Sequence, residues 1–141
     1  MTMDNRPIKM IKYRSMSITQ KEKITRVGGF LRRSRIDELP QLWNVLRGDL
    51  SLIGPRPELP HLVSEYAQTI PFYNLRHLIT PGLSGWAQIN DYDVPRRAQV
   101  EVEKTITKLS YDLFYIKNRS IVLDLNIALK TIRTLISRSG T

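Results

Sequence analysis

Asp37-Glu38-Leu39-Pro40-Gln41-Leu42-Trp43-Asn44-Val45-Leu46-Arg47-Gly48-Asp49-Leu50-Ser51-Leu52-Ile53-Gly54-Pro55-Arg56-Pro57 encodes a helix, a stop, a short apolar run and a stiff bend in succession. Leu39, Leu42, Trp43 and Leu46 fall at i, i+3, i+4 and i+7, a spacing that predicts a helix from Asp37 with one apolar face. Asp37 suits the N-cap, and Pro40 in the first turn lacks only an N–H that would be unpaired anyway. Gly48 stands where a left-handed residue commonly stops a helix. Leu50 to Gly54 is a short apolar run. The prolines at 55 and 57 then restrict the backbone on both sides of Arg56, so that its guanidinium hangs from a rigid, non-helical bend.

Toward the N-terminus, Ile8 to Arg14 alternates apolar and basic residues and predicts a short half-buried strand. Ser17 to Lys23 is polar, and Ile24 to Leu31, with Gly28-Gly29, reads as a turn into a short helix or irregular segment. Toward the C-terminus, Leu59 to Thr69 is expected to be helical, and Pro71 and Pro81-Gly82 bracket a segment containing Arg76 and His77. Gly85 to Asn90 reads as a short buried strand, and Val100 to Ile116 as a charged helix. From Ser120, the residues Ile121, Leu125, Ala128, Leu129, Ile132, Leu135 and Ile136 trace one apolar face, opposite Asn126, Lys130, Arg133 and Ser137. Such a helix covers a core or lies in a membrane interface, and core packing is the expectation for a globular domain. The fold class expected is α+β: one small helical domain over residues 1–141, with short strands and amphipathic, interface-compatible helices.

A hydrophobic content of 41% with 25% charged residues is that of a globular chain and not of a disordered or fibrous one. With no cysteine, disulfides and thiolate metal sites are excluded. His61 and His77 are too few and too far apart to suggest zinc. Lys and Arg number 22 against 13 Asp and Glu, a net charge of +9, which favours polyanionic partners: nucleic acid, nucleotides or an anionic bilayer face. Nucleic acid is not expected, because 8% aromatic content offers no evident stacking platform. Met1 to Met16 holds no continuous apolar core of the signal-peptide type. No run approaches the roughly 20 apolar residues that span a bilayer, so a membrane would be met by lying on it.

Chemistry is concentrated around the opening stretch. Adjacent carboxylates at a helix start commonly cap it. The same position also keeps an Asp ionised and hence a competent nucleophile toward phosphorus. Arg32, Arg33 and Arg35 lie just upstream, either a solvated basic loop or a cluster able to fork onto a diphosphate. Arg56 is either an exposed turn residue or a rigidly presented phosphate ligand. No phosphate-binding loop, dinucleotide fingerprint or hydrolase triad is present.

Thr25-Arg26-Val27-Gly28 together with the stretch from Asp37 to Pro57 closely resembles the bacterial sugar transferase family, the monotopic polyprenol-phosphate phosphoglycosyl transferases. Lys12-Tyr13-Arg14-Ser15-Met16, Pro81 to Asn90, Tyr115 to Ser120 and Leu123-Asp124-Leu125 extend the match in order over nearly the whole chain. The resemblance implies that Asp37 attacks the β-phosphate of a UDP-sugar and releases UMP. Polyprenol (undecaprenyl) phosphate then takes the phosphosugar, the first membrane step of polysaccharide or glycoconjugate synthesis. It further implies that Glu38 helps hold Mg²⁺, and that Arg32 and Arg56, the latter between Pro55 and Pro57, bind substrate. The place implied is the cytoplasmic face of the bacterial inner membrane, peripheral or monotopic. Three departures stand out. The family's hydrophobic re-entrant helix would precede the point where this sequence begins, which makes an inactive truncated scaffold or remnant the alternative. The stretch between Met16 and Thr25 is shorter than is usual. Asn90-Asp91-Tyr92 replaces a common Asn-Gly-Arg.

Overall fold

The computed structural model describes residues 7–16, 25–33, 35–90 and 102–139. The two loop departures, at 17–24 and 91–92, lie outside the described residues.

Helix α1 (Arg26–Arg33) is followed by a 3₁₀ turn, Ile36–Glu38, and then by α2 (Gln41–Leu46). The helix expected to start at Asp37 therefore starts four residues later, and Asp37 is not its N-cap. Arg35 adopts a left-handed φ of 54°, which closes the tighter turn through Glu38 N–H to Arg35 O at 3.0 Å and Leu39 N–H to Ile36 O at 3.1 Å. Gly48, at φ 80°, ends the α2 segment as its lack of a side chain permits.

Strand β1 (Ser51–Ile53) leads through the proline-flanked bend into α3 (Pro60–Thr69), where Pro60 occupies a position that lacks an intrahelical acceptor anyway. A 3₁₀ segment, Tyr73–His77, returns the chain to β2 (Gly82–Ser84). The two strands pair in parallel, Ser51 with Gly82 and Ile53 with Ser84. Helix α4 (Trp86–Asn90) occupies the stretch expected to be a strand. A short apolar run does not separate the two states by periodicity. The ladder is filled by the residues just before it, and Asn90 Nδ2 donates back to Trp86 O at 2.8 Å. Helices α5 (Val102–Asn118) and α6 (Ile121–Ser139) follow, with Ser120 Oγ accepting the Leu123 N–H at 3.2 Å as an N-cap.

The core is small and lies where α3, the following 3₁₀ segment and α5 meet: Leu62, Val63, Tyr66, Ile70, Tyr73 and Leu109. Leu62, Val63 and Tyr66 recur at helical spacing on α3, so burial of that face drives the packing. Helix α6 seats on the body through Ile127, which is fully enclosed, and through a 2.6 Å hydrogen bond between the hydroxyls of Thr131 and Ser84. Tyr115 OH donates to Asp124 Oδ1 at 2.6 Å, linking α5 to the start of α6.

Two expectations about apolar faces are corrected. On α2 the polar side is inward, with Gln41 and Asn44 buried, and Leu39, Leu42, Trp43 and Leu46 are 45–79% exposed. On α6 the stripe of Ile121, Leu125, Leu129 and Ile132 is also exposed, so it does not pack on the core. The Ile136 side chain lies outside the described residues. Among the described residues no helix is long and apolar enough to cross a membrane.

Candidate active site

The buried polar face of α2 has a specific use. Asn44 accepts the Ile11 N–H at 3.2 Å and donates to Lys9 O at 3.0 Å. Tyr13 N–H reaches Asp37 O at 3.1 Å. Residues 7–15 are thus a strap and not the strand expected: the Asn44 amide and the Asp37 carbonyl tether it, with no neighbouring strand among the described residues. The strap's far end crosses α1 closely. A Cβ built on Gly28 would lie 1.9 Å from the Ser15 carbonyl oxygen, so only glycine fits there.

This strap delivers Lys12 to the 3₁₀ turn that carries Asp37 and Glu38. Both acids are buried, and a buried carboxylate needs a partner. Two basic side chains meet Glu38. Arg56 Nη2 donates to its Oε1 at 2.5 Å, Arg56 Nη1 to its Oε2 at 3.4 Å, and Lys12 Nζ stands 3.7 Å from Oε1. The two-pronged guanidinium contact fixes both position and plane. Arg56 Nη1 also donates to Leu83 O at 3.3 Å, and Gln88 Nε2 donates to the same carbonyl at 3.2 Å. Asp37 differs from its neighbour: among the described residues, no hydrogen bond or ion pair engages its carboxylate.

The residues singled out in the sequence therefore divide. Asp37, Glu38 and Arg56 come together, with buried Pro55 and half-buried Pro57 holding the bend. Arg32 lies on α1, and its side chain is outside the described residues. Lys12 was missed. It stands inside a family-like motif, but the alternating pattern around it reads as an ordinary strand, and nothing local announces contact with residue 38.

Behind the bend lies a second charged cluster. Arg76 Nη1 donates to Glu58 Oε1 at 2.7 Å and to Tyr73 OH at 2.9 Å. Its Nη2 stands 2.8 Å from Asp112 Oδ2, and Lys108 Nζ donates to Glu58 Oε1 at 2.6 Å. Burial pushes the Glu58 carboxyl up, but the charges of Arg76 and Lys108 outweigh it and bring the pKa down to about 2. Next to this cluster, burial and then the Arg76 charge lower His77 to about 4.

Magnesium takes hard oxygen donors, commonly one or two carboxylates completed by substrate phosphates and water. Asp37 and Glu38 fit that mode. A cage of three or more acidic, His or Cys side chains is absent among the described residues. Any ion at Glu38 has to share that carboxylate with Arg56.

A family model described as bacterial sugar transferase matches residues 1–138. An N-acetylgalactosaminephosphotransferase of Aeromonas hydrophila, named as acting on UDP-N-acetylgalactosamine and undecaprenyl phosphate, is 43% identical over 96% of this chain and 34% of its own length. A UDP-glucose:undecaprenyl-phosphate glucose-1-phosphate transferase of Escherichia coli is 40% identical over 92% of this chain and 30% of its own length. An uncharacterized sugar transferase of Bacillus subtilis, 37% identical, is matched over 66% of its length. The chain spans about a third of the length of the first two relatives. With the family model matched over residues 1–138, the chain belongs to the bacterial sugar transferase family.

Proposed function

We propose that this protein transfers a sugar-1-phosphate from a UDP-sugar to undecaprenyl phosphate through a covalent intermediate on Asp37. The observation that carries the reading is the contrast within the acidic pair. Glu38 is engaged by Arg56 and Lys12, whereas the Asp37 carboxylate has no partner among the described residues. An unpaired carboxylate beside two fixed cations is suited to attack phosphorus while those cations absorb charge on the phosphate oxygens.

In this reading an Asp37 carboxylate oxygen forms a bond to the β-phosphorus. The bond from that phosphorus to the bridging oxygen breaks, and UMP leaves with the electron pair. A phosphate oxygen of undecaprenyl phosphate then attacks the same phosphorus, the acyl phosphate bond breaks, and Asp37 is restored as a carboxylate. Arg56 and Lys12 hold the diphosphate, and the rigid bend fixes where Arg56 stands. Magnesium, held through Asp37 and Glu38, would supply charge neutralisation at the phosphate oxygens. The exposed apolar stripes of α2 and α6, with Lys130 and Arg133 beside the latter, suit residence on an anionic membrane surface. There the lipid acceptor is met, in this reading at the cytoplasmic face.

The test is intact-mass analysis of the protein incubated with a UDP-sugar and Mg²⁺ without lipid acceptor. A phosphosugar adduct on the peptide carrying Asp37, absent in Asp37→Asn and removed by undecaprenyl phosphate, is expected. An adduct that persists in Asp37→Asn would assign the nucleophile elsewhere.

A further inference from the structure

Arg76 is 3% exposed and meets Glu58, Asp112 and Tyr73. Its remaining contact is of a different kind: Nη2 donates to the backbone carbonyl of Arg56 at 2.9 Å. That carbonyl belongs to the residue whose guanidinium grips Glu38. The path from the buried cluster to the acidic pair therefore runs through one residue.

Stability alone is a poor reason for such a cluster. Two cations, Arg76 and Lys108, face two carboxylates, Glu58 and Asp112. Desolvating four charges offsets much of what their attraction returns, and apolar packing of equal volume commonly serves as well. A guanidinium offers fixed directions that apolar side chains do not. Here Asp112, on α5, stands at Nη2, and Glu58, two residues beyond Arg56, takes Nη1. The carbonyl of Arg56 is thereby held against the helical body, and the prolines on either side limit any other motion of the bend.

We infer that Arg76 is a positioning residue for the transfer reaction, fixing the Arg56 backbone so that the Arg56 guanidinium meets Glu38 and the substrate diphosphate. The inference rests on the transferase reading above. Lysine at 76 keeps the charge but has no planar fork to span Glu58, Asp112 and the Arg56 carbonyl together. Tyr73→Phe removes one acceptor from Nη1 and leaves the Nη2 contact with Arg56 in place.

The experiment is a double-mutant cycle on UMP release, with Arg76→Lys and Arg56→Ala, and thermal unfolding recorded for each variant. Arg76→Lys is expected to lower kcat/KM at least tenfold in the wild-type background and less than twofold in the Arg56→Ala background, since its effect passes through Arg56. Tyr73→Phe, compared at similar thermal stability, is expected to stay within twofold of wild type. If Arg76→Lys does not fold, Asp112→Asn, which withdraws the charge at Nη2, replaces it in the cycle with the same expectation. Equal losses in both backgrounds, or a matching loss in Tyr73→Phe, would reduce Arg76 to a structural role and overturn the inference. No UMP release by wild type would instead overturn the transferase reading on which it rests.

Discussion

The Arg56 guanidinium spans both oxygens of the Glu38 carboxylate, with its shorter arm at 2.5 Å. Eighteen positions apart in the chain, the two are brought together by β1 and the proline bend. Arg56→Ala leaves Glu38 mostly buried without its guanidinium partner. A stability loss of about 3 kcal/mol is expected, near the lower end for breaking a buried pair, together with a slower but still measurable release of UMP. Urea unfolding with a parallel activity assay checks both. An unchanged midpoint would show that the pair contributes nothing net.

The strap that carries Lys12 depends on Gly28. An alanine methyl there would meet the Ser15 carbonyl at 1.9 Å, and backbone has to move to relieve it. Gly28→Ala is expected to cost roughly 1–3 kcal/mol, the usual range for overpacking, and to weaken UDP-sugar binding by displacing Lys12. Thermal unfolding and a binding titration measure the two effects separately.

Acid should loosen the fold in two stages. His77 is lowered to about 4 in the fold, so the unfolded chain binds the extra proton first. Stability is then present above pH 6.5 and declines as pH falls toward 4. Glu58, lowered to about 2, contributes stability present above its unfolded value of about 4.5, and this is lost as pH falls toward 2. His77→Gln is expected to flatten the upper part of a melting-temperature profile, and Glu58→Gln the lower part.

The stripe on α6 is exposed, so changing it should spare the fold. Leu125→Glu with Leu129→Glu is expected to leave the melting temperature within a few degrees. It should reduce binding to anionic vesicles by at least tenfold, since one leucine buried in an apolar phase contributes about 1.5–3 kcal/mol. Cosedimentation with vesicles of phosphatidylglycerol and phosphatidylcholine checks this.

Much of the helical framework was legible in the sequence: α3, α5 and α6 stand where helices were expected, and Gly48 ends its helix. What periodicity does not carry is which face points inward. Gln41 and Asn44 are buried because the strap needs their face, and Leu42 and Trp43 are left outside in consequence. The α4 segment is too short for its pattern to distinguish helix from strand. In the site, Asp37, Glu38 and Arg56 were legible from order and resemblance. Lys12 and Arg76 were not, because each reaches the acidic pair or its partner through a contact between distant parts of the chain.

The most direct test of the central claim is the amount of UMP released from a panel of UDP-sugars with Mg²⁺ and no lipid acceptor. From wild type, a burst approaching one UMP per protein is expected with the accepted sugar, with none from Asp37→Asn. A burst of equal size from Asp37→Asn, or none from folded wild type with any sugar, would contradict it.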